Sequence, residues 1–244
     1  MPSLRAVICV FRVHLARLRR EAGPFLLAAI VFPIAMYLFA NAIRGAGGGD
    51  QARLRFLAGS IVFSLSLTAI SWLGYLLLEN RFTGRLKLFA TLPLSPASYV
   101  FGILIFGVVQ AILGVSALLL LTRLLGVRTR LGLLPLSATI LLTMLCLSGI
   151  SVIIATRARS FSEGSLLTDT LGAGLVFLAP GYYTLDRMPH ALRFVSEWLP
   201  TAFAAHAVEA ALAGSYSFRD LTTLGCMAVI SLAFGFKLMR FREN

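Results

Sequence analysis

The chain has 244 residues, 58% of them hydrophobic and only 13% charged, with a mean hydropathy of +0.87. A soluble domain of this size could not carry that apolar content on its surface, and no alternating ten-residue pattern marks a barrel. The net charge of +12 is spread over short segments between apolar runs, which predicts the lipid bilayer, and no nucleic acid, as its surroundings.

Backbone polar groups in lipid must be satisfied within a segment, so each apolar run long enough to span is read as a helix. The sequence predicts a single all-α polytopic membrane domain over 1–244 with six transmembrane helices: Pro24–Ile43, Leu54–Leu78, Ser98–Thr122, Leu131–Ala155, Leu166–Tyr183 and Asp220–Leu238. Ahead of the first, Leu4, Val7, Ile8, Phe11, Leu15 and Leu18 fall on one arc of a helix, while Arg5, Arg12, Arg19 and Arg20 fall outside it. That pattern predicts an amphipathic helix over 1–23 lying in the interface, with its arginines among anionic headgroups. A topogenic basic tail is the simpler alternative. Ala40-Asn41-Ala42 resembles a signal-peptidase site, but the apolar run before it is of spanning length, so an uncleaved anchor is expected.

Between the second and third spans lies a polar island, Glu79–Pro96, within the connecting segment 79–97. It alternates charge with bulky apolar residues, carries Gly84 and ends in Pro93 and Pro96. This is the pattern of a short helix on the membrane surface with one side open to a soluble partner. Arg157, Arg159, Ser162 and Glu163, between spans four and five, form a second candidate contact, with a plain solvated turn as the alternative. Six spans place both termini on one side. With basic ends inside, 13 of the 22 Lys/Arg lie on the inner segments, which predicts cytoplasmic termini.

The connection 184–218 is too long and too apolar for a simple loop. Pro189, Pro200 and Gly214 divide it into two helical pieces, the longer near Thr201–Ala213. At 1.5 Å per residue the longer piece reaches roughly 20 Å, short of the ~30 Å hydrocarbon core, so a re-entrant pair of half-helices is expected. Tyr182, Tyr183 and Trp198 would lie at the interface. The alternative is an external amphipathic helix. His206 and Glu209, three apart on that longer piece, are a candidate proton or metal pair for which a structural role is favoured.

Enzymatic motifs are missing. There is no phosphate-binding loop, no H-E-x-x-H and no Ser elbow. Leu147-Ser-Gly-Ile-Ser151 lies inside an apolar span and is set aside as a nucleotide-cassette signature. Cys9, Cys146 and Cys226 are scattered and imply neither a disulfide framework nor a metal cluster. Asp169, three residues into the predicted fifth span, reads as a helix-start carboxylate favoured by the macrodipole, and less readily as a proton-coupling group. Gly102, Gly107, Gly114, Gly149, Gly172 and Gly174 suit close helix packing.

The island's order E-x(4)-G-x-L-x(4)-T-L-P-L-S, followed by Pro180-Gly-Tyr-Tyr-Thr-Leu-Asp-Arg-Met-Pro-His-Ala-Leu-Arg-Phe-Val-Ser-Glu-Trp-Leu-Pro-Thr before the last span, resembles type 2 ABC exporter permeases over nearly the whole chain. The resemblance implies a non-enzymatic subunit of the bacterial inner membrane that exports an amphipathic or lipid-like substrate. It would pair with a second copy or a paralogue and be driven by two copies of a cytoplasmic ATP-binding cassette subunit. ATP and Mg would reside in that partner, and this chain would need no cofactor. Glu79, Arg81, Gly84, Arg85, Leu86, Lys87, Leu88, Phe89 and Leu92 would then form the coupling helix. Where many members have Thr-Leu-Glu after the glycine, this chain has Arg85-Leu86-Lys87, which implies an acidic docking surface on the partner. The competing readings are a self-sufficient secondary carrier, and a haem-delivery-type permease or intramembrane enzyme.

Overall fold

The structure, a computed structural model, describes residues 4–20, 23, 26–44, 49–85, 95–178, 181–182 and 190–238. Every regular element among them is helical. α1 is Leu4–Arg20, and α2, Phe32–Arg44, is entered through a π-helical turn at Leu27–Val31. α3 (Asp50–Ser66) and α4 (Leu73–Phe82) are joined through π-helical Leu67–Trp72. Then come α5 (Pro96–Leu124), α6 (Leu133–Arg157), α7 (Phe161–Phe177), α8 (His190–Glu197), α9 (Pro200–Leu212) and α10 (Phe218–Leu238).

Among the described residues, four helices are long and apolar enough to cross a membrane: Gln51–Phe82, Ala97–Leu124, Leu133–Arg157 and Phe218–Leu238. They overlie the second, third, fourth and sixth predicted spans. At the first and fifth, the described helices are shorter, with an apolar stretch Ala29–Ile43 and the 17-residue α7. The Gln51–Phe82 rod has 32 residues, so at 1.5 Å per residue it is about 48 Å long and outreaches a ~30 Å hydrocarbon core. It is also the centre of the bundle. Of its most apolar window 78% is buried, against 17% for α10, which therefore lies at the periphery against α6. Leu57, Ile61, Leu65, Ile70, Leu73 and Leu78 of the rod meet Tyr99, Ile103 and Leu118 of α5 and Met144 and Leu147 of α6.

Small residues set the helix spacing, as expected where lipid supplies no hydrophobic drive between helices. A Cβ on Gly102 would strike Val10 of α1, one on Gly107 would strike Leu73, and one on Gly149 would strike Ser231 of α10. Gly114 faces Ala29 and Ser64, and Gly172 faces Ser71. Gly174 is the exception and meets nothing. Gly59, which the sequence reading passed over, also meets backbone, where an added Cβ would lie 2.7 Å from the carbonyl oxygen of Gly181.

The π turn in the rod displaces backbone carbonyls from their usual partners. The hydroxyl of Ser151 on α6 donates to the carbonyl of Ala69 within that turn. Ser151, part of the Leu147–Ser151 stretch, is thus a structural clasp between α6 and the rod. α1 packs along α5 on a face made of Ala6, Val7, Val10 and His14, while Leu4 and Ile8 of the predicted apolar arc are exposed. The packed face is therefore turned from the one read off the arc. Lipid and a neighbouring helix satisfy an apolar side chain about equally, so the apolar pattern alone does not single out the packed side.

Candidate functional site

The island begins as the last turn of α4. Thr83 caps that helix, and Gly84 follows at φ +75° with open space around it, the left-handed position that ends a helix without a Cβ penalty. Gly84 therefore sets where the chain turns away. The coupling residues Leu86, Lys87, Leu88, Phe89 and Leu92 lie outside the described residues.

The residues before Gly84 are stitched inward on two sides. Buried Asn80 donates its amide Nδ2 to the hydroxyl of Tyr99, in the first turn of α5, at 2.7 Å. Arg81 donates through one guanidinium nitrogen to the carbonyls of Ala155 at 2.6 Å and Ala158 at 2.9 Å. Those carbonyls end α6, where the backbone lacks intrahelical donors and a cation complements the dipole. Thr83 adds a local bond to the carbonyl of Glu79 at 2.6 Å. Glu79 and Arg85 pair at the surface, at 3.2 Å, with Arg85 about half exposed.

The second candidate contact sits on the same corner. Ser160 accepts from the backbone N–H of Glu163 at 3.1 Å and caps α7, while the Glu163 carboxylate accepts from the backbone N–H of Arg159 at 2.9 Å. This reciprocal pattern closely follows the capping box. Leu78 lies against Gly164, where an added Cβ would come within 2.4 Å. The α6–α7 turn thus joins the end of α4 through Arg81 and Leu78, leaving Arg157, Arg159, Ser162 and Glu163 exposed around it. Sequence reasoning nominated both segments but missed Asn80 and the inward role of Arg81. The signal for Asn80 was its position in the helix repeat: it falls on the same buried face as Leu73, Leu76 and Leu77.

At the opposite end of the rod, the segment around α8 and α9 is bound in several ways. Tyr182 and Ser60 hydroxyls meet at 3.3 Å, and Thr201 donates to the carbonyl of Leu175 at 2.6 Å. The last carbonyls of α9 accept from the backbone N–H groups of Arg130 and Gly132. Pro200 occupies the first turn of α9, which packs against α3, α6 and α10 along Ala204, Ala205, Val208 and Ala211. Glu209 lies 3.9 Å from Arg55, and His206 is exposed, so the carboxylate of the proposed His206–Glu209 pair faces an arginine. Trp198 is 65% exposed. Tyr183 and Pro189 lie outside the described residues. On α1, Arg5 and Arg12 are exposed, Phe11 and Leu15 are half-buried, and Arg19 lies in the last turn.

α7 begins at Phe161 rather than Leu166, and its N-terminal cap is Ser160. Asp169 is consequently mid-helix, not the helix-start residue the sequence suggested, and the macrodipole effect has faded by that depth. It lines a cavity of about 250 Å³ with Leu67, Thr68, Ser71, Trp72 and Tyr75 of the rod and Gln110 of α5. Among the described residues, no group of three or more His, Cys, Asp or Glu could hold a metal ion, and the three cysteines are free.

A family model described as ABC-2 type transporter matches residues 6–213. None of the curated proteins compared with the chain matches it.

Proposed function

The chain belongs to the ABC-2 type transporter family as a membrane permease component, and from that membership we propose that it is the permease half of an ATP-driven exporter. The observation that carries this reading is the corner at the end of α4. A surface ion pair, Glu79 with Arg85, stands on residues that are hydrogen-bonded to α5 through Asn80 and to the α6–α7 turn through Arg81. A push on this corner reaches three helices at once. That is what a chain needs if its energy comes from a separate subunit.

In this reading the island, continuing through Leu86–Leu92, is the docking helix for a cytoplasmic ATP-binding cassette subunit, which supplies ATP and Mg. Arg157, Arg159 and Ser162 flank the contact, and the apolar island residues supply its buried area while charges set register. α2 and α7 complete six spans with cytoplasmic termini, α8 and α9 form the re-entrant outer pair, and α1 lies at the inner interface. Two permeases, identical or paralogous, each seat one cassette in a bacterial inner membrane. Cassette closure moves the corners and opens an outward path for an amphipathic or lipid-like substrate.

The test is co-purification. Arg85→Glu with Lys87→Glu reverses the basic island, and loss of cassette association and of stimulated ATP hydrolysis is expected. Retained association and unchanged stimulation would overturn the docking assignment.

A further inference from the structure

The cavity beside the π turn presents an unusual combination for a membrane helix bundle. Its one charged lining group is the carboxylate of Asp169, which is exposed on α7 and makes no hydrogen bond or ion pair with any described residue. Asp169 lies eight residues into α7, so at 1.5 Å per residue it is about 12 Å from the helix start, within hydrocarbon reach if α7 spans. A carboxylate there is costly against lipid, whether the cost is a few kcal/mol or more, and marks a functional site by default.

A second, independent observation points the same way. Gln110 is 2% exposed and lines this cavity, yet its Oε1 has no hydrogen-bond partner among the described residues. A buried carbonyl oxygen left unmatched costs about 1–3 kcal/mol, a cost that a donor entering the cavity would remove. Thr68 already donates its hydroxyl proton to the carbonyl of Ser64 at 2.9 Å, so towards the cavity it offers only lone pairs. Trp72 and Tyr75 line the same cavity with aromatic rings, and Leu67 supplies aliphatic surface. Ser71, Trp72 and Tyr75 also bring donors to the lining, but the only charge there is negative, and with the unmatched oxygen and the aromatic faces it selects a cation that carries N–H donors and an apolar body. A cavity of this volume takes the head group and the adjoining carbons, not a whole lipid.

We propose that this cavity binds the protonated amine of a monovalent cationic amphipath, with Asp169 as counter-ion and Gln110 and Thr68 as hydrogen-bond acceptors. The inference rests on the permease reading for its role as a cargo site, but the binding itself requires neither ATP nor a partner. That separation makes the two claims independently testable.

The chain contains two tryptophans, so Trp198→Phe leaves Trp72 as its only one, inside the proposed site, and the same sample with Trp72→Phe as well gives the background emission to subtract. In phosphatidylcholine nanodiscs, with and without the cassette subunit, Trp72 emission is titrated with 4-(dodecylamino)-TEMPO, a cationic nitroxide quencher. The neutral 4-(dodecanoylamino)-TEMPO measures quenching by simple partition into the bilayer. The expected result is saturable quenching by the amine in excess of the amide, with a half-saturating concentration raised at least tenfold by Asp169→Asn and severalfold by Gln110→Leu. Asp169→Glu should retain the excess, which guards against misfolding as the cause of any loss. Equal quenching by amine and amide, an excess that survives Asp169→Asn, or quenching by neither because a second copy covers the cavity would each overturn the proposal. Retained cassette association and unchanged stimulation in the charge-reversal test would leave this result standing and remove only the docking assignment on which the cargo role rests.

Discussion

Replacing Arg81 with Met separates a docking residue from an internal strut. Met fills much of the same volume but donates no hydrogen bonds, so the carbonyls of Ala155 and Ala158 lose their guanidinium partner. Charge-assisted bonds contribute about 1.5–3 kcal/mol each, and the two here share one nitrogen at a helix end where Ala155 and Ala158 are buried. Because one nitrogen serves both carbonyls, the pair counts as about one such bond, a net destabilisation of about 2 kcal/mol. For a chain of this size that corresponds to a fall in melting temperature of roughly 4–8 °C. The decisive assay pairs that thermal shift with cassette co-purification and cargo-stimulated ATP hydrolysis. Arg81→Met should keep the cassette bound while hydrolysis ceases to respond to cargo, because the contact survives and its link to α6 and α7 does not. Arg81→Lys, which keeps the charge but not the planar fork, should fall between. If Arg81→Met releases the cassette as completely as the Arg85/Lys87 reversal, Arg81 is part of the contact surface and the strut argument fails.

Two further outcomes follow from the packing. Gly59→Val should lower the melting temperature markedly, since its first added carbon would lie 2.7 Å from a backbone carbonyl oxygen rather than from the end of a flexible side chain; overpacking costs of about 1–3 kcal/mol are usual. Gly174→Ala, with nothing within 4 Å, should leave the melting temperature unchanged or raised, and an equal loss at both positions would contradict the observed packing. For Asn80 and Tyr99, a double-mutant cycle of Asn80→Ala and Tyr99→Phe should return a coupling of about 1 kcal/mol by thermal unfolding in detergent. Strict additivity would mean that the 2.7 Å bond contributes nothing.

What the sequence made legible were features enforced by lipid. Spans two, three, four and six emerge as apolar runs because an unsatisfied backbone cannot sit in hydrocarbon, and their ends are written in local chemistry. Ser95 caps α5 ahead of Pro96, Ser160 caps α7, and Gly84 ends α4. What stayed hidden was whatever depends on a partner far along the chain. Arg81 reads as one more basic residue of a polar island until the carbonyls at 155 and 158 claim it, 74 and 77 positions away. The π turn at Leu67–Trp72 leaves no periodic trace, yet Ser151 reaches it from α6 and the cavity opens beside it.

Asp169 shows how an error of a few residues becomes an error of function. Placed three residues into a span, a carboxylate is a helix-start group at the water's edge and needs no explanation. The cap at Ser160 starts the helix five residues earlier, and the same carboxylate falls in the third turn, lining one cavity with the π turn and Gln110. Apolar periodicity cannot register that shift, because Phe161 and Leu166 are equally acceptable as first apolar residues of a span. The cap can, since Ser160 and Glu163 stand at the spacing that closes an N-terminus. In an apolar chain the few polar residues thus carry both the boundaries and the chemistry, and locating the caps first is what turns a lone charge from a topological marker into a site.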